Sequence, residues 1–116
     1  MRWEVEYTDE FGRWFEQLPD GAQRRISATM RTVERNGPTT GRPTVDAIAG
    51  SRHPNMKELR VGTLRILFVF DPRRVAILLL GGDKRGEWTR WYKRAIPVAD
   101  RLYDRHLDEL RKEGLI

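Results

Sequence analysis

The sequence predicts an α+β fold: an antiparallel sheet with a helical hairpin on one face and a C-terminal helix, in the order β-α-α-β-β-β-α. Three observations predict it. Apolar residues before Gly37 recur at helical spacing, three strand-length apolar runs follow between Met56 and Leu80, and a second helical pattern fills the remainder from Trp88. A chain of 116 residues is read as one domain, 1–116, long enough for a hydrophobic core.

From Arg2 to Tyr7 the chain alternates, with Trp3, Val5 and Tyr7 on the buried face and Arg2, Glu4 and Glu6 on the wet one. Thr8 caps a short helix whose stripe is Phe11, Trp14, Phe15 and Leu18. Pro19 interrupts it, and Asp20 caps a second helix with the stripe Ala22, Ile26, Met30 and Val33. Asn36-Gly37-Pro38 ends that helix in the expected order of terminators. Residues 37–55 hold three Gly and three Pro and read as a long loop, with Val45, Ala47 and Ile48 anchoring its middle as a turn. Met56–Val61, the two-residue turn Gly62-Thr63, and Leu64–Phe70 form a hairpin. Asp71-Pro72-Arg73-Arg74 turns the chain into Val75–Leu80, apolar on both faces and therefore central. Gly81-Gly82 frees the backbone at the strand end. The last helix carries Trp88, Trp91, Tyr92 and Ala95. Pro97 either kinks it or starts another with the stripe Val98, Leu102, Tyr103, Leu107 and Leu110.

Charge is unevenly placed. Residues 52–94 hold eleven Lys/Arg against four acids, a net +7, so the whole chain's +5 comes from this stretch and the rest carries −2. A field of that sign on one face suits a polyanion. With no Cys there is neither a disulfide framework nor a thiolate nucleophile, and two isolated histidines, His53 and His106, argue against a metal site. No apolar run approaches the roughly 18 residues of a membrane span, and the N-terminal acids do not suit a signal peptide. A cytoplasmic location without membrane contact is expected.

Arg65, in an otherwise apolar strand, must reach the sheet edge or find a partner such as Glu58 or Asp83. Lys57, Arg60, Lys84 and Arg85 fall toward the same end of the sheet, but alternation puts Met56, Glu58 and Arg60 on one face and Lys57 on the other unless a bulge intervenes. Gly81 to Gly86 is glycine-rich without the spacing of a nucleotide-binding loop. Lys84 and Arg85 there suit a phosphate grip. Trp88, Trp91 and Tyr92 are either stacking faces for bases or sheet packing, the latter preferred for at least one of the tryptophans. His53 is a loop histidine suited to acid–base work near neutral pH, while His106 reads as surface or helix packing.

The order of elements, with GSRHPNMKELRVGTLRILFVFDP and LLLGGDKRGEWTRWYKRAIPVADRLYDRHL, resembles the HigB-like (phage-derived Gp49-like) branch of the RelE superfamily, toxins of type II toxin-antitoxin modules. The likeness runs over essentially the whole chain and is densest from Gly50 to Leu107. It implies a metal-independent endoribonuclease without cofactors that cuts mRNA at the ribosome. A cognate antitoxin, usually a helix-turn-helix protein that carries the operator DNA contacts, would silence it. The implied chemistry is attack of the ribose 2′-OH on the adjacent phosphorus, which needs a base, cations for the phosphoryl oxygens and an acid for the 5′-oxygen. By position the resemblance assigns Arg65 and Lys84 to the phosphate and Tyr92 to proton transfer. RelE relatives carry two lysines on the second strand, two residues apart, where this chain reads Met56 and Glu58. Lys57, Glu58 or His53 then completes the catalytic set, and Arg60, Arg73, Arg74, Arg85, Lys93 and Arg94 bind RNA backbone. Two rivals keep the fold without catalysis: a basic module for RNA or a host protein, and a structural partner in an antitoxin–DNA repressor complex.

Overall fold

A computed structural model describes residues 2–86 and 88–116, the side chain of Trp88 excepted. The chain forms β1 (Val5–Tyr7), α1 (Asp9–Glu16), α2 (Asp20–Asn36), a 3₁₀ turn (Gly37–Thr39), β2 (Val45–Ala47), β3 (Lys57–Val61), β4 (Leu64–Phe70), β5 (Ala76–Asp83) and α3 (Trp88–Lys112). The five strands lie in the order β1-β5-β4-β3-β2. Pairing is antiparallel from β2 through β5, and β1 joins β5 in parallel. That parallel strand follows from topology, because β1 reaches β5 only after a crossover through α1, α2 and the other strands.

Alternation along the strands divides the core into two layers. Leu59, Ile66, Phe68 and Leu78 face the α1–α2 hairpin and meet Phe11, Ile26, Met30 and Val33. On the other face Leu67, Val69, Ile77 and Leu79 meet Trp91, Ala95, Ala99 and Leu102 of α3. Each such fully buried aliphatic or aromatic side chain contributes about 1.5–3 kcal/mol. Thr8 accepts from Phe11 N at 3.0 Å and so caps α1 as its position predicts. No helix among the described residues is long and apolar enough to cross a membrane.

Several local expectations change. The first strand begins at Val5 and not Arg2, because Trp3 N donates to Glu34 O at 2.8 Å and ties the preceding residues to α2. Tyr7, expected on the buried face, is 65% exposed at the end of this edge strand. Val45 to Ala47 is a short edge strand rather than a turn, paired with Leu59 to Lys57. Pro97 sits inside a single continuous α3.

Gly81 and Gly82 lie within β5 and serve close packing, where the sequence reading had given them freedom at a strand end. A Cβ at Gly81 would stand 2.2 Å from the Trp14 ring, and one at Gly82 would stand 2.2 Å from Trp91 Nε1. The two glycines seat one indole on each face of the sheet.

The far end of α3 is tied to α1 by a two-pronged pair, Arg105 to Glu10 at 2.8 and 3.0 Å. This pair holds the Glu10 carboxyl at about 2, against an ordinary 4.5. The fold favours the carboxylate, so the pair's stabilisation is complete above pH 4.5 and is lost as pH falls from there through about 2. Glu10→Gln is expected to flatten the acid limb of stability measured by urea unfolding across that window, and an unchanged limb would refute the linkage. Gly82→Ala is expected to lower stability by about 1–3 kcal/mol through overpacking against Trp91. A denaturation midpoint equal to the parent's would show that the indole can move aside freely.

Candidate active site

One face of the sheet carries charge where the rest of its layer is apolar. Cross-strand pairing sets Arg60 of β3 directly opposite Arg65 of β4, and Arg65 opposite Gly82 of β5. Two cations in direct opposition repel. Glu58, two residues before Arg60 and so on the same face, resolves this. Its Oε2 accepts from Arg60 Nε at 2.9 Å, and its Oε1 lies 3.8 Å from Arg65 Nε. Arg60 in turn reaches Asp46 on β2 at 3.1 Å. Glu58 is only 3% exposed, so the carboxylate depends on these donors.

Tyr92, from the start of α3, closes the cluster by donating its hydroxyl to Glu58 Oε1 at 2.5 Å. Burial first, and this hydrogen bond second, hold the phenol above its ordinary range. Tyr92 therefore stays protonated at neutral pH. Lys84 Nζ lies 5.6 Å from the centroid of the same ring. Burial, with Arg65 nearby adding to it, pushes the Lys84 ammonium below its ordinary range. Arg65 is anchored through Nη1 to the carbonyls of Gly62 and Leu64 at 2.7 and 2.9 Å, in the β3–β4 turn. Its Nε is a buried donor with no hydrogen-bond acceptor among the described residues.

Lys84 arrives on this face because of a bulge. Leu67 pairs with Leu80 and Phe68 with Leu78, so Leu79 is an extra residue on β5. Leu79 and Leu80 both turn toward α3, and the alternation is inverted beyond them. Without the extra residue Gly82 and Lys84 would face the helical hairpin.

Glu58, Arg65, Lys84 and Tyr92 thus come together, with Arg60 bonded to Glu58 and Asp46. Lys57 and His53 do not join them. Lys57 points to the opposite face, where Nζ lies 3.4 Å from Pro38 O. His53 sits edge-on to Tyr103 and bonds, at 2.8 Å, Asp104, which is twelve residues beyond Tyr92 and so about 18 Å along the helix. Trp91 is sheet packing, 7% exposed; the Trp88 side chain, named for stacking, lies outside the described residues.

The expected RNA-binding cations divide. Arg73 is held by Glu6 and Asp71, and Arg74 stands over Trp3. Both lie at the opposite end of β4, about 20 Å from Arg65. Arg85 is exposed and pairs with Asp83 at 3.4 Å. Lys93 and Arg94 are exposed on the first turns of α3 beside Tyr92. Sequence reasoning missed Asp46, whose strand it read as loop, and Asp100, a buried acid on α3 that accepts from Ser51 Oγ at 2.5 Å and Arg52 N at 3.1 Å. His106 bonds Asp71 at 2.9 Å and is packing, as read. Among the described residues no group of three or more His, Cys, Asp or Glu is placed to hold a metal ion.

The profile of the phage derived protein Gp49-like family (DUF891) matches residues 13–104. HigB3 of Mycobacterium tuberculosis (strain ATCC 25618 / H37Rv), named as a toxin, is 54% identical over 90 residues, 76% of this chain and 79% of that one. HigB2 of the same organism, also named as a toxin, is 42% identical over 104 residues, and there the match spans 85% of this chain but only about half, 52%, of the relative's length. Among solved structures, the archaeal RelE-RelB complex from Pyrococcus horikoshii OT3 contains a chain that superposes with a TM-score of 0.61 at 18% identity, over 75% of this chain and 99% of that one.

In a Glu58→Gln variant the Tyr92 phenol is expected to titrate lower than in the parent, though still above the ordinary tyrosine value because burial persists. Carbon NMR of labelled tyrosine, with Tyr92→Phe assigning the resonance, reads this directly. A midpoint that stays put or rises would contradict the bond to Glu58.

Proposed function

From the premise that the chain belongs to the phage-derived Gp49-like family, among the HigB-like toxins of the RelE superfamily, we propose that it is a metal-independent endoribonuclease of a type II toxin-antitoxin module. Its substrate is mRNA on the ribosome, and a cognate antitoxin neutralises it. The observation that carries the catalytic reading is Arg65 Nε, a buried cationic donor with no hydrogen-bond acceptor among the described residues, beside a carboxylate and a protonated phenol. A buried unsatisfied donor calls for an explanation, and a phosphoryl oxygen supplies one.

In this reading Tyr92 covers the cluster at rest. RNA entry turns its hydroxyl away from Glu58, and Glu58 takes the proton of the ribose 2′-OH. The 2′-oxygen attacks phosphorus, and Arg65 and Lys84 balance the added charge on the phosphoryl oxygens. Tyr92 protonates the departing 5′-oxygen, leaving a 2′,3′-cyclic phosphate and a 5′-hydroxyl. Arg60 positions Glu58, and Arg85, Lys93 and Arg94 meet RNA backbone near the cluster.

One observation favours a second reading, a non-catalytic basic module. Arg65 and Lys84 are only 7% and 5% exposed, so neither presents its charge at the surface as the structure stands. Inducible expression separates the two. Wild type is expected to arrest growth and create new mRNA 5′ ends, while Arg65→Gln and Tyr92→Phe each lower cleavage by about 100-fold or more with antitoxin capture retained. Soluble wild type that arrests nothing and makes no new ends would leave only the binding module.

A further inference from the structure

Asp46 lies directly opposite Glu58 in the β2–β3 register, so two carboxylates share one face at the sheet edge. Like charges placed in this way repel. Arg60, two residues on from Glu58 and diagonal to Asp46, stands between them. Its Nε donates to Glu58 Oε2 at 2.9 Å, while its Nη2 lies 2.9 Å from the same oxygen and 3.1 Å from Asp46 Oδ2. The backbone of Arg60 is tied to the same edge, since its N–H donates to Thr44 O at 2.8 Å. Acid therefore faces acid across β2–β3 as cation faces cation across β3–β4, and diagonal pairs relieve both oppositions.

Asp46 is itself fixed. Its Oδ1 accepts from Ala47 N at 2.9 Å, and its Oδ2 lies 3.2 Å from Arg42 Nε. The Ala47 bond first, and Arg42 after it, hold the carboxyl below its ordinary range, so Asp46 is an anion at neutral pH. The Arg42 side chain is 79% exposed, and a pair of that kind holds little in place. The Arg60 side chain is 36% exposed, with Glu58 on one side and Asp46 on the other. Without Asp46 the outer end of that guanidinium is free to turn into water. The two oxygens of Glu58 meanwhile have different neighbours. Oε2 takes both contacts from Arg60, whereas Oε1 accepts from Tyr92 and faces Arg65.

We propose that Asp46 is a positioning residue for the reaction: it holds Arg60 on Glu58 Oε2, which keeps Oε1 turned toward Tyr92 and the ribose 2′-OH. The inference rests on the endoribonuclease reading for the reaction. Asp46 touches neither the phosphate cations nor Tyr92 and acts only through Arg60. A carboxylate pinned by one oxygen presents the other in a fixed direction, and fixed direction is what transfer of the 2′-OH proton requires. The short strand β2 thereby belongs to the working part of the sheet.

Asp46→Asn tests this with little change of shape. Its amide oxygen can still accept from Ala47 N, but an NH2 group replaces Oδ2 and sets donors against the donors of Arg60 and Arg42. In single-turnover cleavage of mRNA on programmed ribosomes, the variant is expected to cut about tenfold more slowly at saturation, with half-saturation unchanged. Asp46→Glu, which restores the carboxylate, is expected to recover most of that rate, and Arg42→Gln to stay within about twofold of the parent. In the free protein, nitrogen NMR of the arginine side chains, with Arg60→Lys assigning the resonance, is expected to show the Arg60 Nε proton of Asp46→Asn exchanging about tenfold faster with water. Parental cleavage by Asp46→Asn, unchanged Arg60 exchange, or an equal loss in Arg42→Gln overturns the proposal. A loss confined to half-saturation would make Asp46 an RNA contact and overturns it too. If the parent itself cuts no mRNA, the nuclease reading falls, and Arg60 exchange by itself still decides whether Asp46 holds Arg60.

Discussion

A carboxylate on a sheet face, 3% exposed, must be compensated by donors aimed at it, and Glu58 sets that requirement for the whole site. Arg60 and Arg65 stand in direct opposition across β3 and β4, an arrangement that is unfavourable without an anion between them. Tyr92 supplies the remaining donor, so the first turns of α3 are drawn onto the sheet at this point. Removing Glu58 would leave two facing cations and deprive the half-buried Tyr92 phenol of its acceptor.

The same helix is fastened along its length by different physics. Near its start Trp91 occupies the space that Gly82 leaves open. Midway, Asp100 and Asp104 hold the loop at 51–53. Toward its end His106 bonds the buried Asp71 of the β4–β5 turn, and Arg105 meets Glu10 of α1. A helix fixed so closely holds the Tyr92 side chain at a defined distance from the sheet. The price of that rigidity is visible in Gly81 and Gly82, where β5 gives up side chains to admit two indoles.

Charge counted along the chain and charge available at the surface are different quantities. The basic stretch 52–94 looked like one continuous positive face, yet Arg52, Arg60, Arg73 and Arg85 are all matched by acids. Meanwhile Arg24, Arg31 and Arg35 on the outer face of α2, outside that stretch, are exposed and have no acidic partner among the described residues. Salt bridges between distant strands and helices are invisible to a count along the sequence.

Much was nonetheless determined by the sequence alone. Hydrophobic period placed the helical hairpin, the three long strands and the C-terminal helix. Gly62-Thr63 fixed the β3–β4 register, and the resemblance singled out Arg65, Lys84 and Tyr92. These signals are local, carried by neighbours within a turn or a strand. What only the tertiary structure decided was which of three candidates, Lys57, Glu58 or His53, stands beside Tyr92. It also decided why two glycines follow β5's apolar run, and that a short strand around Asp46 braces Arg60. The bulge at Leu79 shows the reason most directly. One extra residue inverts which face every later side chain takes, and its presence depends on how β5 pairs with β4, a non-local choice that no window of sequence contains.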